Sequence, residues 1–368
     1  MAYTGKKLSI VIDFLTDYIR DNNLETGARL PTEGDMIANT GVSRVTLRRA
    51  LANLQESGVI YSVQGSGYYV GQLGEAYKID AIPIIISYDH ENSKILNIVQ
   101  GAQSFLGDRR CQLNVHISRR NPETEREMIT QLYNEGNRCV IIFPVSSEDN
   151  IEFYFQMIQK GMNLIFIDRQ PKDVYCCNLV RADNMTGGYL ATRHLLEQGH
   201  RRIAVFGFEP LIHTSTTYER FCGYQKALAE FGVPEPAQSF FHSSYHKYNE
   251  DVEQLLDKKN AFTAIFALND HAAVDIATHA YNKGLNIPED FAVIGFDNLD
   301  ITSIFTPHLS TIDQPFTRLG EEAAKIAFEY LTGATSGYTQ RTLPIKLIVR
   351  ESTLKAPVSL TRGESLLV

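Results

Sequence analysis

The sequence predicts an α/β chain built from a small N-terminal winged helix-turn-helix and two larger lobes of parallel sheet flanked by helices. Three observations predict it. Residues 1–71 hold apolar stripes of helical period and then an alternating stretch around a glycine-rich tip. From residue 82 onward, near-continuous apolar runs alternate with helix-like stretches, the pattern of parallel strands covered on both faces. That alternation fills residues 81–355, more chain than one doubly wound sheet of ordinary size uses, so two lobes are expected.

The first helix is read from Leu8, Val11, Ile12, Leu15, Tyr18 and Ile19, which fall on one stripe of helical period. "LETGARLPTEGDMIA" then turns the chain at Gly27 and Pro31, and Thr32 with Asp35 three residues later makes a capping-box start for a short second helix. Gly41 supplies a tight turn, Ser43 an N-cap, and Leu47, Ala50, Leu51 and Leu54 the buried stripe of helix three. Arg44, Thr46, Arg48 and Arg49 are left largely off that core face. "GVIYSVQGSGYYV" (58–70) alternates around QGSG and reads as a two-stranded hairpin. Three helices and a hairpin, with a polar and cationic start on the third helix, is the layout of a winged helix-turn-helix. Such a helix start enters the ~12 Å major groove of DNA, where arginine donates bidentately to guanine and the helix dipole favours phosphate.

Residues 30–70 resemble the GntR-family DNA-binding domain, with its P-[ST]-E, G-V-S-R-x-T-[VL]-R-x-A and Q-G-x-G-x-[FY]-V patterns all in place. The resemblance implies that Ser43, Arg44, Thr46 and Arg48 meet bases or phosphates, that Thr32, Glu33 and Arg49 share the DNA-facing surface, and that Gln64 and Gly65 set the wing tip in the minor groove. Gly34 departs from the longer polar residue that some members place there for a backbone contact. Within residues 1–71, seven cations (Lys6, Lys7, Arg20, Arg29, Arg44, Arg48, Arg49) balance seven carboxylates (Asp13, Asp17, Asp21, Glu25, Glu33, Asp35, Glu56). The cations are concentrated, not abundant, and the rest of the chain carries the whole net charge of −8, which suits a body that does not itself adhere to nucleic acid.

Polar, glycine-spaced "GQLGEAYKID" places a linker at 72–80. Strands are expected at 82–88, 111–117, 138–143, 163–167, 202–208, 261–268 and 291–296, joined through helices by right-handed crossovers. Ligands of such sheets bind outside the carboxyl ends of the strands, and polar residues gather there: Tyr88, Asp89 and His90; Ser146 and Ser147; Asp168 and Arg169; Asn269 and Asp270; Asp297 and Asn298. Compact hydrogen-bonding groups at five strand ends suit a polyol, because each hydroxyl both donates and accepts. Asp168, Asn269 and Asp297 each also fit a plain helix N-cap, a reading that their recurrence weakens.

The stretch from 82 to 352 resembles the LacI/GalR effector domain, a periplasmic-binding-protein-like fold, through "FIDRQP", "VRADNMTGGYLATRHLLEQGHRRIAVFG", "ERFCGYQKAL", "AIFALNDHAAVDIATHAYNKGLNIPEDFAVIGFDN" and "HLSTIDQPFTRLGEEAAK". The resemblance implies that Asp168 and Arg169 contact a small ligand from the first lobe, that Arg220, Asn269 and Asp297 bond its hydroxyls from the second, and that Phe316 supplies an apolar or stacking wall. Tyr88, His90 and Ser146 fall where the family varies and complete the candidate set. "STTYERFCGY" replaces the family's usual STARxRxxGF, so Thr217 and Tyr218 stand where small residues are common. The family's own DNA headpiece and hinge helix are absent, and the arrangement with a GntR-type domain in their place resembles that of arabinose-responsive repressors.

Together these features predict a sugar-responsive bacterial transcriptional repressor. Residues 1–71 are expected to bind palindromic operator DNA, residues 81–355 to bind a pentose or hexose and to dimerise the chain, and residues 356–368 to form a tail of no assigned role. A homodimer is expected because one winged helix makes few base contacts; the helix at 95–106 is a candidate dimer surface. A nucleoside or purine is the other effector class, and residue types leave open whether ligand releases DNA or acts as corepressor. An enzyme is not expected: the sequence holds no nucleophile elbow, P-loop, full dinucleotide fingerprint or zinc signature, so no catalytic residue, metal or cofactor is assigned. His242 and His246 lie four apart on what reads as strand and loop, where they would not face one ion as on a helix. Five scattered cysteines, and apolar runs far short of the ~20 residues of a membrane span, fit a reducing, cytoplasmic setting without membrane contact.

Overall fold

The computed structural model describes residues 2–354 apart from 57, 64, 72–78, 88–92, 146–149, 176, 209–214, 237–238, 244–247, 259–260, 333 and 336. Gln64, Tyr88, His90 and Ser146, like His246, most of the 72–80 linker and the tail, lie outside the described residues.

The N-terminal helices α1 (Ala2–Asp21), α2 (Glu33–Thr40) and α3 (Arg44–Glu56) precede the antiparallel hairpin β1 (Ile60–Val63) and β2 (Gly67–Val70). Val11, Ile12, Leu15 and Ile19 of α1 meet Leu47, Ala50, Leu51 and Leu54 of α3 in one buried cluster with Met36, Val59, Ile60 and Val70, so the predicted stripes are the core faces. Thr32 caps α2 reciprocally: its Oγ1 accepts from Asp35 N at 3.2 Å, and the Asp35 carboxylate accepts from Thr32 N at 3.1 Å. Gly41 ends that helix in the left-handed region, φ 66°.

After the hairpin the order is β3 (Ala81–Ile86), α4 (Ser93–Gly107), β4 (Gln112–Ile117), α5 (Pro122–Asn134), β5 (Cys139–Phe143), α6 (Ile151–Gln159), β6 (Asn163–Ile167), β7 (Asn178–Ala182), α7 (Asn184–Glu197), β8 (Ile203–Phe208), α8 (Ser215–Glu230), β9 (Phe240–Ser243), α9 (Tyr248–Asp257), β10 (Ala264–Ala267), α10 (Asp270–Asn282), β11 (Ala292–Ile294), α11 (Ile301–Ile304), β12 (Thr311–Asp313), α12 (Phe316–Leu331), β13 (Gln340–Leu343) and β14 (Lys346–Ile348). The chain divides into two compact units: residues 1–181 with 316–341, and residues 182–315 with 342–368. It therefore passes between them three times, twice at the ends of the α12–β13 segment.

Unit 1 holds a six-stranded sheet of order β13-β7-β6-β5-β3-β4, in which the pairs from β7 through β4 are parallel. Every residue of β5 and β6 is buried, as strands covered on both faces require. Unit 2 holds a four-stranded parallel sheet, β11-β10-β8-β9, beside an antiparallel β12–β14 pair. The two parallel sheets answer the expected lobes. The strand expected at 291–296 stops at Ile294, because the chain turns at Asp297 and Asn298, whose φ values are 123° and 56°.

Each unit contains a pair of helices in backbone contact at two glycines. In unit 1 a Cβ on Gly101 of α4 would sit 1.8 Å from Thr317 O, and one on Gly320 of α12 would sit 1.9 Å from Ile98 O. In unit 2 a Cβ on Gly188 of α7 would sit 2.0 Å from Arg220 O, and one on Gly223 of α8 would sit 2.1 Å from Met185 O. No rotamer change relieves a clash with backbone, so a side chain at these positions must push the helices apart. Gly188→Ala is expected to destabilise the chain by about 1–3 kcal/mol in a urea unfolding titration, the usual cost of overpacking; unchanged stability would show that α7 and α8 do not touch there.

Candidate functional site

On the N-terminal domain, Arg44, Arg48 and Arg49 are exposed along the first turns of α3, while Thr46 is half-buried. Ser43 Oγ lies 2.9 Å from Thr46 Oγ1 and accepts from Thr46 N at 3.3 Å, so Ser43 is the N-cap of α3 as well as part of its outer surface. Glu33 ties the surface together: its carboxylate lies 3.5 Å from Arg48 Nε and accepts from the Tyr68 hydroxyl of the wing at 3.5 Å. Partial burial and the Glu33 charge both hold the Tyr68 hydroxyl less acidic than usual. Two residues that sequence reasoning passed over belong here. Val45 is 68% exposed between Arg44 and Thr46, an apolar side chain set among polar and cationic ones. Arg29, counted from the sequence only as a charge, donates to Ser66 O at 2.8 Å and so braces the wing tip beside Gly65.

In unit 1 the strand-end residues Asp168 and Arg169 lie with two side chains that the sequence did not single out. Asp168 is buried and left-handed, φ 69°, directly after β6. Lys94, buried in the first turn of α4, places its Nζ 3.4 Å from Asp168 Oδ2. That ammonium lies 5.3 Å from the Phe143 ring centroid and 5.2 Å from that of Phe316, and the Arg169 guanidinium lies 5.4 Å from Phe143. The cluster presents cationic donors, a carboxylate acceptor and two ring faces within one unit. Val145, just after β5, and Asn150 and Tyr154 are held by Glu125 of α5, which accepts from Val145 N at 3.1 Å, from Asn150 Nδ2 at 2.8 Å and from the Tyr154 hydroxyl. Burial raises the Glu125 carboxyl above the ordinary range, against the pull of those three donors.

Unit 2 gathers Arg220 and Asp297. The Arg220 guanidinium is buried, lies 3.7 Å from the Phe296 ring centroid, donates to Asn184 Oδ1 at 2.9 Å and to Leu268 O at 2.5 Å, and has Nη2 3.7 Å from Asp297 Oδ1. Gln314 Nε2 donates to the same Asp297 oxygen at 2.5 Å, while the buried Gln314 Oε1 has no hydrogen-bond partner among the described residues. A buried acceptor of this kind calls for a donor. Asn269 caps α10, its Oδ1 accepting from Ala272 N at 2.8 Å; the plain N-cap reading therefore holds for that oxygen, which leaves its amide nitrogen for other use. Among the described residues no helix begins directly after Asp168 or Asp297. Asn184, Phe296 and Gln314 fall inside the matching stretches of sequence, but nothing in their spacing distinguishes them from neighbouring core.

Beneath the Asp297 turn lies Asp270, fully buried, accepting from Leu299 N at 2.7 Å and from Thr311 Oγ1 at 2.6 Å. It fastens the β11–α11 turn to the start of α10. Burial first, and the Asp297 charge second, push its carboxyl from 3.8 up to about 7. Among the described residues no group of His, Cys, Asp and Glu could hold a metal ion, and no helix is long and apolar enough to cross a membrane.

Residues 9–70 match the family described as bacterial regulatory proteins, gntR family, and residues 192–353 match the periplasmic binding protein-like domain. An arabinose metabolism transcriptional repressor from Geobacillus stearothermophilus is 25% identical over 86% of this chain and 89% of its own length. A second, from Halalkalibacterium halodurans, is 26% identical over 94% of this chain and 96% of its own. Among solved structures, a LacI family transcriptional regulator from Enterococcus faecium with bound ribose matches with a TM-score of 0.63 at 26% identity, covering 74% of this chain and 100% of that one.

The Asp270 carboxyl has a directional consequence. Its folded value lies above its unfolded one, so between about pH 4 and pH 7 the folded chain keeps a proton that the unfolded chain has lost, and stability falls as pH rises through that window. Thermal melts across pH 4–7 are expected to show a steeper decline for the wild type than for Asp270→Asn; identical slopes would mean that Asp270 is ionised in the fold throughout.

Proposed function

A chain that carries a gntR-family DNA-binding domain ahead of a periplasmic binding protein-like domain has two ligands to serve, and we propose that it is a transcriptional repressor that leaves its operator when a small sugar binds. It acts as a regulator, not an enzyme, in the cytoplasm. Residues 1–71 form the DNA-binding domain, with α3 in the major groove and the wing tip at Gln64 and Gly65 in the minor groove. Residues 81–355 form the effector domain, and two copies of the chain sit on a palindrome, because one winged helix supplies too few base contacts for a typical specific affinity.

The observation that carries the reading is the split character of α3. One face is buried while Arg44, Val45, Arg48 and Arg49 stand exposed on the other, in a chain whose net charge of −8 lies entirely beyond residue 71. Cations concentrated on one small surface are a footprint for a polyanion. The sugar follows from the strand ends. Asp168, Asp297 and Gln314 Oε1 accept, Lys94, Arg169, Arg220 and the Asn269 amide nitrogen donate, and Phe143 and Phe316 offer apolar faces for ring C–H groups, which matches the alternating demands of a polyol. Tyr88, His90 and Ser146 belong to the same proposed set. Arabinose in the names of two relatives, and ribose bound in a third, favour a pentose.

The test is fluorescence anisotropy on a labelled duplex from the DNA upstream of the gene, at one stated salt concentration, with and without a pool of pentoses and hexoses. The wild type is expected to bind tightly and to be released by the pool. Each arginine–base contact is worth about 1–3 kcal/mol, so Arg44→Ala with Arg48→Ala is expected to weaken operator binding by roughly 30-fold or more while sugar affinity persists. Operator binding retained in the double variant would overturn the assignment of α3.

A further inference from the structure

We infer that α4 and α12 form one rigid two-helix rod that carries the state of the unit 1 effector residues to the N-terminal domain, with α1 as the surface that receives it. The inference rests on the proposed sugar-linked repression and goes beyond it by naming the connecting part.

At one end of the rod stand the first turns of both helices. Lys94 on α4 and Phe316 on α12 lie 5.2 Å apart, Nζ to ring centroid, and Lys94 pairs with Asp168. Any ligand group that engages Asp168 or Phe316 therefore acts on both helix starts at once. Phe316 is also where the chain re-enters unit 1, so α12 takes up whatever displacement arrives through Pro315.

In the middle, Gly101 and Gly320 bring the two backbones into contact. Helices meshed this closely move as one body or jump between discrete packings, because a small slide drives backbone into backbone. Their 15 and 16 residues span about 22–24 Å at 1.5 Å per residue.

At the far end the rod meets α1. Phe105 of α4 and Phe328 of α12 pack edge to face at 6.3 Å, and the Arg109 guanidinium stacks on Phe105 at 3.8 Å. Arg109 O accepts from Arg20 Nη1 at 2.9 Å, and Arg110 Nη1 lies 3.4 Å from Asp21 Oδ1. Asp13, half-buried on the same side of α1, is made less acidic by burial, with the charges of Arg109 and Lys325 acting against that shift. Glu329, held by Arg341 at 3.6 Å and Lys325 at 4.0 Å, feels the Asp13 charge in turn. Ala334, just beyond α12, packs against the core of the N-terminal domain. Charged groups of α1 thus bond to the residues that follow α4 and feel the charges of Lys325 and Glu329 on α12, on a helix that carries none of the proposed DNA contacts.

The test uses the full chain with Asp13→Ala and Arg20→Ala combined, both outside the proposed sugar and DNA contacts. Calorimetric sugar affinity is expected to stay within about twofold of wild type. The sugar-induced change in operator affinity, which for allosteric proteins of this kind runs at about 5–150-fold, is expected to fall below about twofold. A variant that releases operator as fully as the wild type would overturn the inference. Hydrogen exchange in protein free of sugar and DNA decides the same point without reference to the effector: residues 105–110 and 325–331 are expected to exchange at least tenfold faster in the variant, and unchanged protection would show that α1 is not seated there. Should the wild type show no response to any sugar, the effector reading fails on its own, while the exchange comparison still accepts or rejects the rod's contact with α1. Arg20→Lys, which keeps the charge and loses the directed bond to Arg109 O, is expected to give an intermediate loss and guards against a misfolded double variant.

Discussion

The contact on which the rest of the structure depends is a helix crossing at backbone distance, made once in each unit through a pair of glycines. Ordinary helix pairs stand 8–10 Å apart, held off by their side chains. Where glycine removes the side chain, the partner helix comes close enough for what it carries to reach a fixed point. In unit 2, Gly188 lies against the carbonyl of Arg220 itself, so the guanidinium that meets Asn184, Leu268 and Asp297 is placed by main chain. In unit 1, Gly101 lies against Thr317, the residue after Phe316, and sets that ring beside Lys94. The cluster proposed for the effector in each unit is thus positioned by steric contact with backbone.

Charge is then distributed according to whether water is replaced. Burying an ion costs several kcal/mol unless partners take over its solvation, and the buried Arg220, Lys94 and Asp168 each have such partners within their own unit. The arginines of α3 stay in water instead, where holding them near one another costs little until a polyanion arrives. In the proposed function one residue type therefore serves two recognition tasks, buried for a neutral hydroxylated ligand and exposed for phosphate and base edges.

The winged helix was legible almost throughout, because its information is local: a capping box at Thr32 and Asp35, an N-cap at Ser43, and a periodic stripe at Leu47, Ala50, Leu51 and Leu54. The central parallel strands were legible for the same reason. The short strands β7, β12, β13 and β14 were not, since each is only three to five residues long and offers too few positions for a pattern to show. Helix α4 illustrates a finer limit. Its stripe reads equally as core or as a dimer surface; Ile98, Ala102 and Leu106 are in fact buried, while Leu96 stays 64% exposed. Periodicity treats Lys94 as solvent-facing at the helix start, and only the tertiary fold reveals Asp168, Phe143 and Phe316 around it. Asp297 and Asp168 stand out in the sequence by their places at strand ends, whereas Gln314 and Asn184 reach Asp297 and Arg220 through orientation, which spacing does not encode.

If one sugar-binding event and one DNA-binding event are linked through this chain, the linkage must be reciprocal. Isothermal titration of the releasing sugar into the protein, alone and saturated with its operator duplex, measures this directly. Operator is predicted to weaken sugar binding by the same factor by which sugar weakens operator binding; equal sugar affinity in both titrations, in a protein that binds its operator, would contradict it.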